Sequence, residues 1–63
     1  MFNVHTQMPL GNISRGYNFP DQEKATEAFD RMVFQTRSWK NYVVDIVMTD
    51  EDVEVQREHI HVA

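Results

Sequence analysis

The feature that most constrains the fold is a two-residue alternation of apolar and polar side chains, which occurs once near each end of the chain. In residues 2–8, Phe2 and Val4 share one parity, while Asn3 and His5 share the other. Successive side chains of a β-strand point to opposite faces, so this spacing predicts a strand with one buried face. Residues 42–49 predict a second, stronger strand, whose buried parity is Tyr42, Val44, Ile46 and Met48.

The first strand is predicted to belong to a hairpin. Residues 9–12 are Pro-Leu-Gly-Asn, a composition typical of turns, and residues 12–19 alternate again. A loop over residues 9–12 gives three apolar cross-strand pairs: Met8 with Ile13, Val4 with Tyr17, and Phe2 with Phe19. Both apolar sets then lie on one face of the hairpin, which favours this register.

The second strand is predicted to enter a hairpin through the acidic residues 50–52. A loop over residues 49–52 keeps the apolar faces together by pairing Met48 with Val53 and Ile46 with Val55. The apolar parity changes after Val55, so we expect either a bulge near Arg57 and Glu58 or fraying of the last residues.

A helix is predicted between the hairpins. Asp21 follows Pro20 and is a suitable N-cap. The helical spacing gives one mainly apolar stripe of Ala25, Ala28, Phe29, Met32 and Thr36, with Trp39 on the same line if the helix continues that far. Phe34 falls on the acidic face instead, so either the helix ends early or Phe34 is exposed.

The order ββαββ predicts one domain over residues 1–63, an α+β fold with a four-stranded antiparallel sheet and one helix packed on one face. Strand orders 2-1-3-4 and 1-2-4-3 both keep all neighbours antiparallel. The sheet face toward the helix is predicted to carry Phe2, Val4, Met8, Ile13, Tyr17, Phe19, Tyr42, Val44, Ile46, Met48, Val53 and Val55. The opposite face is predicted to carry Asn3, His5, Gln7, Ser14, Val43, Asp45, Val47, Glu54 and Gln56.

The charge is uneven along the chain. The net charge is −4, which argues against general nucleic-acid binding. Residues 1–40 hold five basic and four acidic residues, whereas residues 41–63 hold one basic and six acidic residues. The acidity is therefore concentrated in the last third, a distribution that bears on partners and association rates.

The sequence carries no catalytic motif, and we expect no enzymatic activity, metal or cofactor. His59 and His61 could hold zinc or nickel with Asp45, but two exposed histidines near a chain end favour an ordinary surface. Residues 50–54 lack the ligand spacing of a calcium loop. Ser14 and Ser38 have no context for nucleophilic catalysis, and the chain has no cysteine.

Three functions remain open. The first is an acidic protein that occupies a basic groove of another protein by imitating a row of phosphates. Its acidic docking residues would be Asp45, Asp50, Glu51, Asp52 and Glu54, with Phe34, Val43 and Val47 as apolar anchors.

The second is self-association as a homodimer, through an edge strand or through the open sheet face, with Phe34, Trp39, Val43 and Val47 covered. The third is weak nucleic-acid binding through Arg15, Arg31, Arg37 and Lys40, with Tyr17 or Trp39 for stacking. Acidic residues interleave with these bases on the helix, which places direct nucleic-acid binding last.

In length, lack of cysteine, acidity and element order, the chain resembles as a class the short accessory proteins that bacteriophages direct against host enzymes. Anti-CRISPR proteins, uracil-DNA glycosylase inhibitors and inhibitors of host RNA polymerase are examples. The resemblance rests on no motif and assigns no residue a role, but it implies an inhibitor of a host nucleic-acid-processing protein. No apolar run suits a membrane span or a signal peptide, so we expect a cytoplasmic protein, in the host cytoplasm if a phage encodes it.

Overall fold

The computed structural model describes residues 1–8, 11, 13–38 and 42–62, the side chains of Tyr42 and Val62 aside. The elements are β1 (Phe2–Gln7), β2 (Tyr17–Phe19), α1 (Gln22–Arg37), β3 (Tyr42–Asp50) and β4 (Val53–Val62). The four strands form one antiparallel sheet in the order β2-β1-β3-β4. The predicted α+β fold is confirmed, with the first of the two strand orders. Predictions for Pro9, Leu10, Asn12, Trp39 and Lys40 lie outside the described residues.

The helix begins where its capping residue predicts. The Asp21 carboxylate accepts a hydrogen bond from the Lys24 backbone N–H at 2.8 Å, which satisfies one of the unpaired donors of the first turn. Ala25, Phe29 and Thr36 are buried. The helix continues through Arg37, so Phe34 is 79% exposed, the second of the two outcomes that the sequence allowed.

The core lies between α1 and one face of the sheet, called here the inner face. Its buried residues are Val4, Ala25, Phe29, Val44, Ile46, Met48 and Ile60, with Phe2, Met8, Phe19, Met32 and Val33 packed against them. Four residues predicted for this core are exposed: Ile13, Tyr17, Val53 and Val55. All four lie in the hairpins. The registers of Ile13, Val53 and Val55 differ from the prediction, whereas Tyr17 keeps its predicted register and is nevertheless exposed.

In the first hairpin, the predicted pairs of Phe2 with Phe19 and of Val4 with Tyr17 are confirmed. The pair of Met8 with Ile13 is wrong, because Ile13 forms a bridge with Gln7. The extra residue is accommodated before Tyr17, where Gly16 has φ +71°. A Cβ at Gly16 would meet the Val4 carbonyl oxygen and lie 2.6 Å from the His5 Cβ, so this close approach requires glycine.

In the second hairpin, the predicted four-residue loop is wrong. Asp50 pairs with Val53, and the two residues between them have positive φ, 51° at Glu51 and 66° at Asp52. Positive φ at both central residues is typical of the tightest hairpin turns, whose twist matches that of the strands. The register shifts between Met48 and Thr49, with Val55 as the extra residue of β4. A bulge was expected, but two residues later in the chain.

The opposite side of the sheet, called here the outer face, carries the second parity of each strand. Its members by register are Asn18, Asn3, His5, Gln7, Val43, Asp45, Val47, Thr49, Glu54, Arg57, His59 and His61. Gln56 was predicted here, but it pairs with Met48 on the other parity because of the bulge. Val47 is only 1% exposed on this face and His5 only 8%.

Candidate protein-binding surface

Four of the predicted docking residues lie together at one end of the sheet. Asp50 ends β3, Glu51 and Asp52 form the turn, and Glu54 lies in the first part of β4. These four residues are called here the acidic tip. The Met1 ammonium lies 2.7 Å from Glu51 and 3.4 Å from Asp50, and its hydrogen bond lowers the pKa of Glu51. The Met1 ammonium, together with the Arg57 guanidinium beside Glu54, therefore offsets part of the negative charge of the tip.

A depression of about 480 Å³ adjoins the acidic tip on the outer face. Asn3, Asn18 and Ser14 contribute polar lining, and Glu51 and Asp52 line the side toward the turn. Ile13 also lines the depression and is 65% exposed. The depression thus combines two carboxylates with two accessible apolar side chains, those of Ile13 and Met1.

Asp45, the fifth predicted acidic residue, is not part of the tip. Its carboxylate accepts hydrogen bonds from the Arg57 guanidinium and from His59 Nδ1, the latter at 2.6 Å. The bond from His59, followed by the bond from Arg57, lowers the pKa of Asp45. Asp45 is paired within the chain like Asp50, Glu51 and Glu54, but its side chain is only 23% exposed, less than any of those three, which limits its use in docking.

Arg57 is the centre of the polar contacts on the outer face. Besides Asp45, its guanidinium donates to Glu54 at 2.8 Å and to Gln7 at 3.2 Å. The bonds to Glu54 and Asp45 raise the pKa of Arg57, and the bond from Arg57 lowers the pKa of Glu54. Because Gln7 lies on β1 and Arg57 on β4, the side chain of Arg57 crosses the intervening strand β3.

Val47, the register partner of Arg57, lies on β3 beneath this crossing. The expectation that Val47 is an exposed anchor is wrong, because the polar side chains around it leave it 1% exposed. Val43 lies on the same face and is half-buried, beside a smaller depression of about 180 Å³. The outer face therefore offers little apolar surface to a partner.

Phe34 is exposed as expected, but it lies far from the acidic tip. The helix begins three residues after Phe19, which pairs with Phe2 at the end of the sheet that holds Asp50. From Gln22 to Phe34 the helix rises about 18 Å at 1.5 Å per residue. One flat partner surface at the tip would not reach Phe34.

Sequence reasoning missed three residues of this surface. Ile13 and Val53, assigned to the core, are more than half exposed beside the tip because the hairpin registers differ from the prediction. For Arg57, no role beyond its charge was predicted. One signal for its role was present, since it is the one lysine or arginine in the last 23 residues and shares them with six acidic residues.

In the described part of the chain, both serines and the pair of Asp45 with His59 have hydrogen-bond partners within the chain. No group of three or more His, Asp or Glu side chains there could hold a metal ion. The Ser14 hydroxyl pairs with Thr6, and that of Ser38 donates to the Gln35 carbonyl. The Asp45 carboxylate pairs with His59 Nδ1.

No helix within residues 1–8, 11, 13–38 and 42–62 has the length and apolar character needed to cross a membrane. No protein-family model, curated protein or solved structure matches the chain.

Proposed function

We propose that this protein is a non-catalytic binding protein whose acidic tip docks on a basic surface of another protein. The observation that carries the proposal is the grouping of Asp50, Glu51, Asp52 and Glu54 at one end of the sheet, beside an open depression. Clustered charge of one sign steers a complementary partner and raises its association rate. Four of the ten acidic residues of the sequence thereby lie together at one end of the sheet.

The partner that fits this charge is a nucleic-acid-processing protein, because such proteins present basic grooves for phosphates. Binding there would block the groove, which agrees with the class resemblance to phage inhibitors of host enzymes. Ile13 supplies an exposed apolar contact within the depression, and Val53 supplies one next to the turn. A few such anchors carry most of the energy of an interface, while the charged rim steers.

The first experiment is affinity capture from a nuclease-treated bacterial lysate, followed by association kinetics with the captured protein. The triple variant Asp50→Asn, Glu51→Gln, Asp52→Asn removes three charges at the tip. The matched control Glu23→Gln, Glu27→Gln, Asp30→Asn removes three charges from the helix instead. We expect slower association and a weaker salt dependence for the tip variant alone. Equal behaviour of the two variants would contradict docking through the tip.

The apolar contact is tested separately through dissociation. Ile13→Ser is expected to speed dissociation with little change in association, because apolar anchors act mainly after encounter. Phe34→Ser is the control, since Phe34 is also exposed, at 79% against 65% for Ile13, but lies away from the tip. An equal effect of both substitutions would place the binding surface elsewhere.

A second candidate function is self-association through β4. This strand spans ten residues at the edge of the sheet, and Val55 within it is 46% exposed. A long edge strand can pair with a second copy. Sedimentation velocity over a range of protein concentrations tests this candidate, and a single monomeric species throughout would exclude it.

A further inference from the structure

The outer face holds a continuous series of hydrogen bonds that joins residues of three strands. It begins at Arg57 on β4, passes through Gln7, His5 and Asn3 on β1, and ends at Asn18 on β2. The four contacts measure 3.2, 3.2, 2.8 and 3.0 Å in that order. This series is called here the polar chain, and His5 at its centre is 8% exposed.

The hydrogen bonds of the polar chain all run in one direction, since each residue donates to the next one toward Asn18. Arg57 can only donate, so Gln7 faces it with Oε1, and the Gln7 amide nitrogen faces His5 Nε2. His5 Nε2 must then accept, and Nδ1 must carry the proton that is donated to Asn3 Oδ1. The Asn3 amide nitrogen in turn donates to Asn18 Oδ1 and to the Arg15 carbonyl. The contacts thus require a neutral His5 with its proton on Nδ1.

A second proton on His5 is incompatible with this arrangement. It would place an N–H at Nε2 against the donor amide of Gln7. Turning the Gln7 amide would restore that contact but would set its nitrogen against the Arg57 guanidinium. Charging His5 therefore requires the loss of either its own contact with Gln7 or the contact of Gln7 with Arg57.

We propose that the polar chain is a pH-sensitive clasp, in which protonation of His5 turns the Gln7 amide, frees Gln7 from Arg57 and loosens the cover over Val47. The clasp is closed when His5 is neutral. In the open form, Arg57 keeps its bonds to Asp45 and Glu54 but no longer bridges to β1. The clasp does not depend on which partner binds the acidic tip.

The charged groups around His5 act in opposing directions. From β4, Arg57 disfavours a charged His5 and Glu54 favours it; Asp45 on β3 lies further along the outer face, and Glu51 and Asp52 lie across the depression. Desolvation is the largest effect and, together with Arg57, it lowers the pKa of His5 from its ordinary value of 6.5. The pKa values of Asp45 and Glu54 are also lowered, so both stay ionised while His5 titrates.

The sign of the resulting pH dependence follows from linkage. The unfolded chain takes up a proton at His5 near pH 6.5, whereas the folded chain takes it up only at lower pH. Below pH 6.5 the unfolded state therefore binds more protons, and the free energy of unfolding falls as the pH falls. The contribution of the clasp is fully present above pH 6.5.

The test is ¹⁵N NMR of the imidazole groups of the whole chain, together with the side-chain signals of Gln7 and Arg57. We expect the Nδ1–H form of His5 at pH 7.5 and a titration midpoint below 6.5. The Gln7 and Arg57 signals should change with that same midpoint. An Nε2–H form, or Gln7 and Arg57 signals that do not follow His5, would overturn the proposal.

The substitution Gln7→Glu should move the titration midpoint of His5 in the opposite direction. A carboxylate at this position accepts from Arg57 and from a protonated His5 at once, so the His5 midpoint should move above 6.5. Gln56→Glu adds the same charge on β4 outside the polar chain and is the matched control. If both substitutions move the His5 midpoint equally, the effect is general electrostatics and the clasp is excluded.

Discussion

The two faces of the sheet bury valines equally well by different means. On the inner face, Val4 and Val44 are covered by α1 through apolar contact with side chains such as Phe29. On the outer face, Val47 is covered to the same degree by polar side chains around Arg57. A domain with one helix can therefore keep water from valines on both sides of its sheet, if hydrogen-bonded polar side chains cover the side that the helix does not.

The two kinds of cover respond differently to change. Apolar packing has no direction and depends on the area removed from water. The polar chain depends on the order of donors and acceptors, so one misplaced proton can break it. We therefore expect the inner face to determine stability and the outer face to determine its dependence on pH.

The largest expected effect is on the inner face. Phe29→Ala removes a fully buried ring between the helix and the sheet and should lower the free energy of unfolding by about 3–5 kcal/mol. Urea denaturation followed by circular dichroism measures the loss. A loss no greater than that from substitutions on the outer face would contradict the division of roles proposed here.

The next effect concerns the close approach in the first hairpin. Gly16→Ala should lower the free energy of unfolding by about 1–3 kcal/mol, because the added Cβ meets the backbone of Val4 at positive φ. Gly11→Ala is the matched control, since Gly11 also has positive φ but open space around it. If thermal melts show equal losses, the strain comes from φ alone and the contact with β1 is unimportant.

A smaller effect is expected at Arg57. Arg57→Met keeps an unbranched side chain over Val47 but removes every donor, so the thermal midpoint should fall by less than for Gly16→Ala. The Gln7 amide should then turn freely, and the titration midpoint of His5 should rise. Arg31→Met on the exposed side of α1 is the control and should leave His5 unchanged. An unaltered His5 titration in the Arg57 variant would show that Arg57 and His5 are not coupled through Gln7.

The smallest effect is expected at Phe34. Phe34→Ser should change the free energy of unfolding by no more than about 0.5 kcal/mol, because the ring packs on neither face of the sheet. The same urea experiment used for Phe29→Ala measures it. A loss comparable to that at Phe29 would show that the ring is buried in solution.

The elements of the fold could be predicted because each has a local signal. Alternation gives β1 and β3, and Asp21 marks the start of the helix. The registers could be predicted only in part. In the first hairpin two of the three predicted pairs hold, and an extra residue displaces the third. In the second hairpin neither predicted pair holds, because the turn has two residues instead of four and β4 contains an extra residue. A bulge reverses the face of every later residue without altering the local composition.

The candidate site could be predicted only in part, again because the strand registers could not be fully predicted. The acidic tip lies where the sequence suggested, since a turn keeps its residues together whatever the register. Ile13 and Val53 became exposed through register changes, and the burial of Val47 depends on a cross-sheet contact made by Arg57. A contact such as that of Arg57 with Gln7 depends on the registers of three strands together, β1, β3 and β4.

The strand order has a consequence for folding kinetics. Each hairpin joins neighbouring segments, but the central pairing of β1 with β3 brings Phe2 beside Asp50. Closing so long a loop is entropically costly, and folding rates fall as contacts become more distant in sequence. We expect the β3–β4 hairpin and the helix to form early, with the docking of β1 against β3 as the rate-limiting step. During synthesis, β1 can pair with β2 early, but its pairing with β3 must wait until residues 42–50 have been made.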